Sequence, residues 1–331
     1  MQAAIQIPAA VLVSFLLTGL ATWYAGRQGL IDHPGERHSH TVATPRGGGA
    51  GLVLTLVIFS WLNFSAHGGF WMHAALPGIV VLSLLGWWDD HASLSARFRF
   101  LIQLAVSLFL IGYALQSGWP GGVLQLAGAG LFLLWMTNLY NFMDGSNGMA
   151  GVQGVFGGVV LACLFEQAGD HTSAMAAALL AACCLGFLPW NLGRARVFMG
   201  DTGSLALGFA LGALLIFGVA TGAFSLPVAL MVMLVFLTDS SLTLLLRVLK
   251  GERWYTAHKQ HLYQRLIAHG WTHGRVLLFY QAINLTLVVP GIVVADNYPA
   301  LAWIVALAMI LVMGLGWFLV LRNIGVFVRA G

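Results

Sequence analysis

The sequence predicts an all-α polytopic integral membrane protein, and three observations carry that expectation. Of 331 residues, 59% are hydrophobic and only 8% are charged, against about 25% charged in a soluble globular domain. The 15 Lys+Arg and 11 Asp+Glu supply too little polar surface for a water-exposed fold of this length. The apolar residues gather into windows close to the roughly 20 residues that a helix needs to cross a bilayer, with polar turns between them.

Eleven such windows run approximately over 4–25, 50–66, 71–88, 99–116, 122–140, 149–166, 173–190, 203–221, 225–247, 276–296 and 299–321. The first has no basic residue ahead of it, its first charge being Arg27, and no convincing small-residue cleavage site. It therefore reads as a retained helix rather than a signal peptide. Turn chemistry marks the breaks, as in His67-Gly68-Gly69, Trp119-Pro120-Gly121-Gly122 and Asn297-Tyr298-Pro299.

Charge then orients the windows. Arg27, Arg37 and Arg46 lie in the first loop, Arg97 and Arg99 in the third, Arg194 and Arg196 in the seventh, and Arg247 through Arg275 in the ninth. Arg322 and Arg329 follow the last window, and the even-numbered loops carry no Lys or Arg. The positive-inside rule puts the amino terminus outside and the carboxyl terminus in the cytoplasm. The net charge of +4 thus reads as orientation in a bilayer rather than as nucleic-acid binding. Cys163, Cys183 and Cys184 sit in apolar stretches without CxxC spacing and read as small core residues. No internal repeat and no long soluble segment is evident. The expectation is one integral membrane domain over 1–331, with cytoplasmic loops at about 26–49, 88–98, 141–148, 191–202 and 248–275.

Five features on that side carry chemistry. The first loop combines Arg37, His40, Thr44 and Arg46 with Gly47-Gly48-Gly49. These are cationic and hydroxyl donors beside backbone that can approach an anion closely, or else an ordinary basic anchor with a glycine hinge. Asp89-Asp90 closes the third window. Adjacent carboxylates call for a proton or a cation, Mg²⁺ bridging to phosphates being a natural occupant; alternatively Asp90 meets Arg97 or Arg99 at a solvated helix end. Asn141 and Asp144 follow the fifth window three residues apart, so a continuing helical turn would put them on one face. Gly145 and Gly148 break that turn, and a capped junction on Asp144 or Asn147 is the structural alternative. Asn191 begins the stretch that ends Phe198-Met199-Gly200-Asp201-Thr202-Gly203-Ser204. It offers a phosphate-binding helix entry, a metal-binding carboxylate and an aromatic face for a base, the competing reading being Asp201 as a plain N-cap. In the ninth loop, His258 and His261 would project from one helical face as anion-binding or proton-transferring groups, no third zinc ligand being evident. Asp239, expensive in lipid, reads as an ion-pair partner of Arg247.

Together these motifs resemble the polyprenyl-phosphate N-acetylhexosamine-1-phosphate transferases, the family of the MraY and WecA enzymes. The similarity spans residues 32 to about 265. It rests on Asp32-x-Pro34-x-x-Arg37-x-x-His40, Thr44-Pro45-Arg46-x-Gly48-Gly49, Asp89-Asp90, Asn141-x-x-Asp144-Gly145 and Phe198-Met199-Gly200-Asp201-x-Gly203-Ser204, in the family's order.

The resemblance implies attack by undecaprenyl phosphate on the β-phosphorus of a UDP-N-acetylhexosamine, giving undecaprenyl-diphosphate-sugar and UMP. Mg²⁺ is the implied cofactor, with Mn²⁺ as a substitute. It implies that Asp201 is the leading metal ligand and that Asp89 deprotonates or positions the lipid phosphate, with Asp90 beside it. Asp144, Asn141 and Asn191 become nucleotide-site or metal-shell groups, Phe198 a stacking partner for uracil, and His261 a diphosphate contact near His258. Arg37, His40, Thr44 and Arg46 become substrate-binding groups. Two departures stand out. The second aspartate of the Asp-Gly-x-Asp-Gly motif is Asn147 here, which can accept from uracil but carries no charge. The histidine motif is reduced to His261-Leu262-Tyr263-Gln264. With the short ninth loop and no lysine after Asp89-Asp90, this resembles the O-antigen-initiating branch and a sugar simpler than muramoyl-pentapeptide. The implied setting is the bacterial inner membrane, with no nucleic-acid partner and compatibility with a homodimer. A secondary transporter is the alternative from another class, although transporters place coupling carboxylates near the bilayer midplane.

Overall fold

Each apolar window is helical in the computed structural model of the chain, which describes residues 2–32, 43–66, 68–253 and 258–325. Among the described residues, nine helical runs are long and apolar enough to cross a membrane. The second window forms a shorter helix, α2 (Gly49–Phe64). The ninth is not a straight span: α9 (Leu226–Val232) and α10 (Leu234–Leu249) meet at 80°. Met233 takes φ −109° and ψ 14° at that break. No proline or glycine lies between Met231 and Val235 to announce it.

The described residues divide into two compact units, one running up to Phe224 and the other from Ser225 onward. The first unit holds α1 (Gln2–Gln28), α2, α3 (Leu76–Ala92), α4 (Ala96–Gln116), α5 (Val123–Phe142), α6 (Met149–Gln167), α7 (His171–Asn191) and α8 (Asp201–Thr221). Its centre is α8, whose residues from Thr202 through Leu215 are all buried. Small residues let backbones approach across these interfaces. A Cβ on Gly51 would overlap the α1 backbone at Leu17 and Thr18, and one on Gly186 would overlap the Val11 carbonyl. On the outer face of α1, Leu12, Leu16 and Leu20 recur every fourth residue and are exposed, as a lipid-facing stripe requires. The all-helix expectation misses one small feature. Two-residue strands β1 (Ile31–Asp32) and β2 (Thr44–Pro45) pair antiparallel, with Ile31 opposite Pro45 and Asp32 opposite Thr44. Cys183 and Cys184 are buried as expected, whereas Cys163 is exposed on α6.

The second unit holds α9, α10, α11 (Leu262–Ala268), α12 (His273–Ile283), α13 (Val289–Asn297) and α14 (Ala302–Asn323). A π-turn at Asn284–Val288 joins α12 to α13. Within this unit α14 packs on α9, α10 and α13, and Leu307, Leu311 and Leu315 form its exposed stripe.

Candidate active site

The aspartates of the first unit are assembled by the crossing of α3 and α8. A Cβ on Gly86 would overlap the Asp201 carbonyl, so only glycine lets the last turn of α3 lie against the first residue of α8. α3 continues to Ala92, which places Asp89 and Asp90 inside its last turn rather than beyond its end. Consecutive helical residues point about 100° apart, and these two diverge.

Asp90 turns inward and is 4% exposed. Its Oδ1 accepts from the Asp201 N–H at 3.2 Å. Its Oδ2 accepts from the Thr202 N–H at 3.2 Å and from the Thr202 hydroxyl at 2.7 Å. The carboxylate therefore satisfies the orphan amides and positive dipole end of α8. Gly200 precedes them at φ 73°, where a Cβ would lie 2.6 Å from Asp90 Oδ2. Arg46 donates to the Asp90 backbone carbonyl. The expected pairing of Asp90 with Arg97 or Arg99 does not form.

Asp89 makes that pairing instead. Arg99 Nη1 lies 2.7 Å from Asp89 Oδ2 and 3.1 Å from Asp201 Oδ2, so one guanidinium nitrogen bridges both carboxylates. Leu94 N–H holds the other Asp89 oxygen at 2.5 Å. Asn141 donates its amide to Asp201 Oδ1 at 2.8 Å and to Ser204 Oγ at 2.9 Å. Gly200, not Asp201, is the N-cap of α8.

α5 ends at Phe142, so the helical turn expected to join Asn141 to Asp144 is a non-helical turn closed by Asp144 N–H to Asn141 carbonyl at 3.2 Å. Burial, then the charges of Asp201 and Asp90, raise the Asp144 carboxyl well above the usual range, opposed by a bond to the Gly200 backbone. A carboxyl in that position favours a proton or a nearby cation. Neither Asp144 nor Asn147 caps α6; Gly148 does, at φ 78°. Asn147 donates to the Gly193 carbonyl at 2.7 Å. Asn191 uses both ends of its amide, accepting from Gly148 N–H at 2.7 Å and donating to the Val197 carbonyl at 2.9 Å. Phe198 is half-buried, and its N–H donates to the Pro45 carbonyl at 2.8 Å. Thr44 is buried in β2. Arg37 and His40 lie outside the described residues.

Could these residues hold a divalent cation? Among the described residues, no three His, Cys, Asp or Glu side chains group as a ready cage. Mg²⁺ asks for less, usually one or two carboxylates with water and substrate phosphates completing the shell. Asp89 and Asp201 already direct one oxygen each at a single cationic nitrogen, so the donor set fits.

His258 and His261 lie in the second unit. Residues 258–261 are not helical; His261 is the N-cap of α11, yet its ring centroid lies 4.8 Å from that of His258. Burial, then the charges of His261, Arg247 and Arg265, lower His258 to about 3. Burial also lowers His261, with Asp239 opposing. Both imidazoles are therefore neutral near pH 7. The expected Asp239–Arg247 pair is absent: Arg247 pairs with Glu252 at 2.9 Å. Asp239, 2% exposed, instead accepts from Leu262 N–H at 2.7 Å, Tyr263 N–H at 3.4 Å and the Tyr280 hydroxyl at 2.7 Å. It anchors the start of α11. Neither Arg99 as the bridge nor Gly86 as the crossing point is legible in the sequence. No spacing signal distinguishes Arg99 from Arg97, and Gly86 is one glycine among 41.

A polytopic helical bundle that gathers four aspartates at the ends of three neighbouring helices defines a class of membrane-embedded protein with its polar chemistry at one end of the bundle. Comparison with known proteins narrows it. The glycosyl transferase family 4 profile matches residues 72–219. The chain is 28% identical over 309 residues to a probable undecaprenyl-phosphate N-acetylglucosaminyl 1-phosphate transferase of Bacillus subtilis, covering 87% of this chain and 85% of that protein. It is 30% identical over 312 residues to the decaprenyl-phosphate N-acetylglucosaminephosphotransferase of Mycobacterium tuberculosis, covering 81% and 76%. It is 31% identical over 309 residues to a phospho-N-acetylmuramoyl-pentapeptide-transferase of Synechococcus, covering 84% and 87%. The chain belongs to glycosyl transferase family 4, the MraY/WecA-like group of polyprenyl-phosphate sugar-phosphate transferases.

Proposed function

We propose that this protein transfers an N-acetylhexosamine-1-phosphate from a UDP-sugar to undecaprenyl phosphate, releasing UMP, at the cytoplasmic face of a bacterial inner membrane. The observation that carries the reading is the convergence of Asp89 and Asp201 on one Arg99 nitrogen, at 2.7 and 3.1 Å, with Asn141 fixing the second Asp201 oxygen. Phosphoryl transfer depends on charge neutralisation and in-line positioning rather than on elaborate covalent chemistry. Mg²⁺, when bound through Asp201 and Asp89, would neutralise the diphosphate.

The protein's own groups do the remaining work. Asp89 positions the lipid phosphate or takes its proton. Asp90 fixes the entry of α8, so that Asp201 and Thr202 keep their places. Asp144 adds a carboxyl beside Asp201, and Phe198 offers its ring to uracil beside Asn147. By the family motif, His261 contacts the diphosphate as a neutral donor. The reduced histidine motif and Asn147 favour a sugar simpler than muramoyl-pentapeptide, such as N-acetylglucosamine or a 6-deoxy-N-acetylhexosamine, in O-antigen or related envelope polysaccharide synthesis.

Purified protein, supplied with a panel of UDP-N-acetylhexosamines, is expected to release UMP only when undecaprenyl phosphate and Mg²⁺ are both present. UMP release without the lipid phosphate, or none with any donor in the panel, would reject the reading. Retention of full activity by Asp201→Ala would reject the metal assignment alone.

A further inference from the structure

The first unit also carries a cleft whose charged lining is basic rather than acidic. Its volume is about 610 Å³, and its walls include Thr44 and Pro45 of β2, Pro189 and Leu192 at the end of α7, and Arg194 and Arg196. Among the described residues, no acidic side chain lines it. Among the described residues, neither guanidinium has an ion pair or a side-chain hydrogen bond. In a chain with only 11 acidic residues, two arginines facing one cleft without a counter-charge lack the partner their chemistry calls for.

One of the two is held in place. The Arg196 guanidinium lies 5.7 Å from the Trp190 ring centroid, and Arg196 N–H donates to the Trp190 carbonyl at 2.8 Å. The Trp190 indole in turn donates to the Phe15 carbonyl at 3.0 Å and packs on the Phe15 ring. Leu192 is 41% exposed beside them, and Pro189 belongs to the last turn of a membrane-spanning helix. Cationic groups next to an exposed apolar surface, at the level where a span leaves the hydrocarbon, match a ligand that is a phosphate at one end and a hydrocarbon at the other.

We propose that this cleft binds the phosphate head group of an anionic membrane lipid. The proposal does not depend on the sugar-phosphate transferase reading. Because β2 leads directly to Arg46, which donates to the Asp90 carbonyl, the site would also tie the lipid surroundings to the backbone of the aspartate cluster.

The test is native mass spectrometry of the full-length protein in neutral detergent, with phosphatidylglycerol or phosphatidylcholine of matched chains. Wild type is expected to retain phosphatidylglycerol in preference to phosphatidylcholine. The double variant R194Q/R196Q is expected to bind phosphatidylglycerol about 30-fold more weakly, from the contribution typical of two basic side chains at a lipid surface. Trp190→Phe, which keeps both charges but weakens the aromatic support under Arg196, is expected to fall between the two. Unchanged phosphatidylglycerol retention in the double variant would overturn the proposal, as would equal retention of the two lipids by wild type. Displacement of the lipid by an equimolar amount of glycerol phosphate would assign the cleft to free phosphates and overturn it as well. The readout is retention of ligand, so loss of transferase activity cannot mimic any of these results.

Discussion

Replacing Asp90 by asparagine separates the two neighbouring aspartates most cleanly. Asp90 is 4% exposed and accepts three hydrogen bonds, at 3.2, 3.2 and 2.7 Å. Two of the donors are backbone amides in the first turn of α8 and cannot turn away. An asparagine keeps one acceptor oxygen and puts an NH₂ where the other stood. In its better orientation it preserves both Thr202 bonds and sets a donor against the Asp201 N–H. Losing one charge-assisted bond and leaving that amide unsatisfied costs about 2–3 kcal/mol. At roughly 2–4 °C per kcal/mol for a chain of this order of size, the thermal midpoint should fall by about 4–12 °C. Asp89→Asn is expected to move it far less, because Asp89 sits nearer the surface and Arg99 keeps Asp201 as a partner. The assay is thermal unfolding of the purified variants in one detergent, followed by tryptophan fluorescence. An Asp90→Asn midpoint within about 2 °C of wild type would refute the reasoning.

Other outcomes follow from the same geometry. Gly86→Ala is expected to lower UMP release at least tenfold while the protein still inserts and folds, since the added methyl meets the Asp201 backbone rather than a movable side chain; an unchanged rate would show that the crossing tolerates a wider spacing. Asp239→Ala strips acceptors from two backbone amides and the Tyr280 hydroxyl. A loss of about 3–5 kcal/mol is expected, and hydrogen exchange at residues 262–268 should accelerate. His258 has a folded pKa of about 3, below the usual 6.5 or so of an unfolded histidine, so the unfolded chain binds this proton first. The stabilisation is then complete above about pH 6.5 and is lost as pH falls toward 3. The thermal midpoint should decline on acidification, and His258→Gln should flatten that decline between pH 6.5 and 4.5.

Hydropathy and turn residues were enough to locate every helical window, because lipid imposes a length on apolar stretches that water does not. The bend between α9 and α10 escaped, because nothing at Met231–Val235 weakens a helix locally. The aspartates were legible as a set, since carboxylates are rare in this chain and recur on one side. Their division of labour was not. Adjacent residues on α3 point in different directions, so Asp89 meets Arg99 while Asp90 meets the amides of α8, and a sequence read as a pair cannot show that. The histidine reading failed in its geometry because α11 starts only at Leu262. Asp239 was misread because its partners are backbone amides 23 and 24 residues away, a kind of contact that leaves no trace in residue identity.

Asn191 carries a consequence for how the site meets a ligand. With its carbonyl on Gly148 and its amino group on Val197, a single buried side chain rivets the loop after α5 to the loop before α8. The two loops cannot yield independently. A nucleotide that settles against either encounters a surface whose shape is already fixed, so little ordering is left to do on binding. On the proposed donor reading, the same rigidity leaves little room to reshape this side of the site by changing one loop alone. Asn191→Ala should reveal this as a weaker KM for the donor with kcat much less affected.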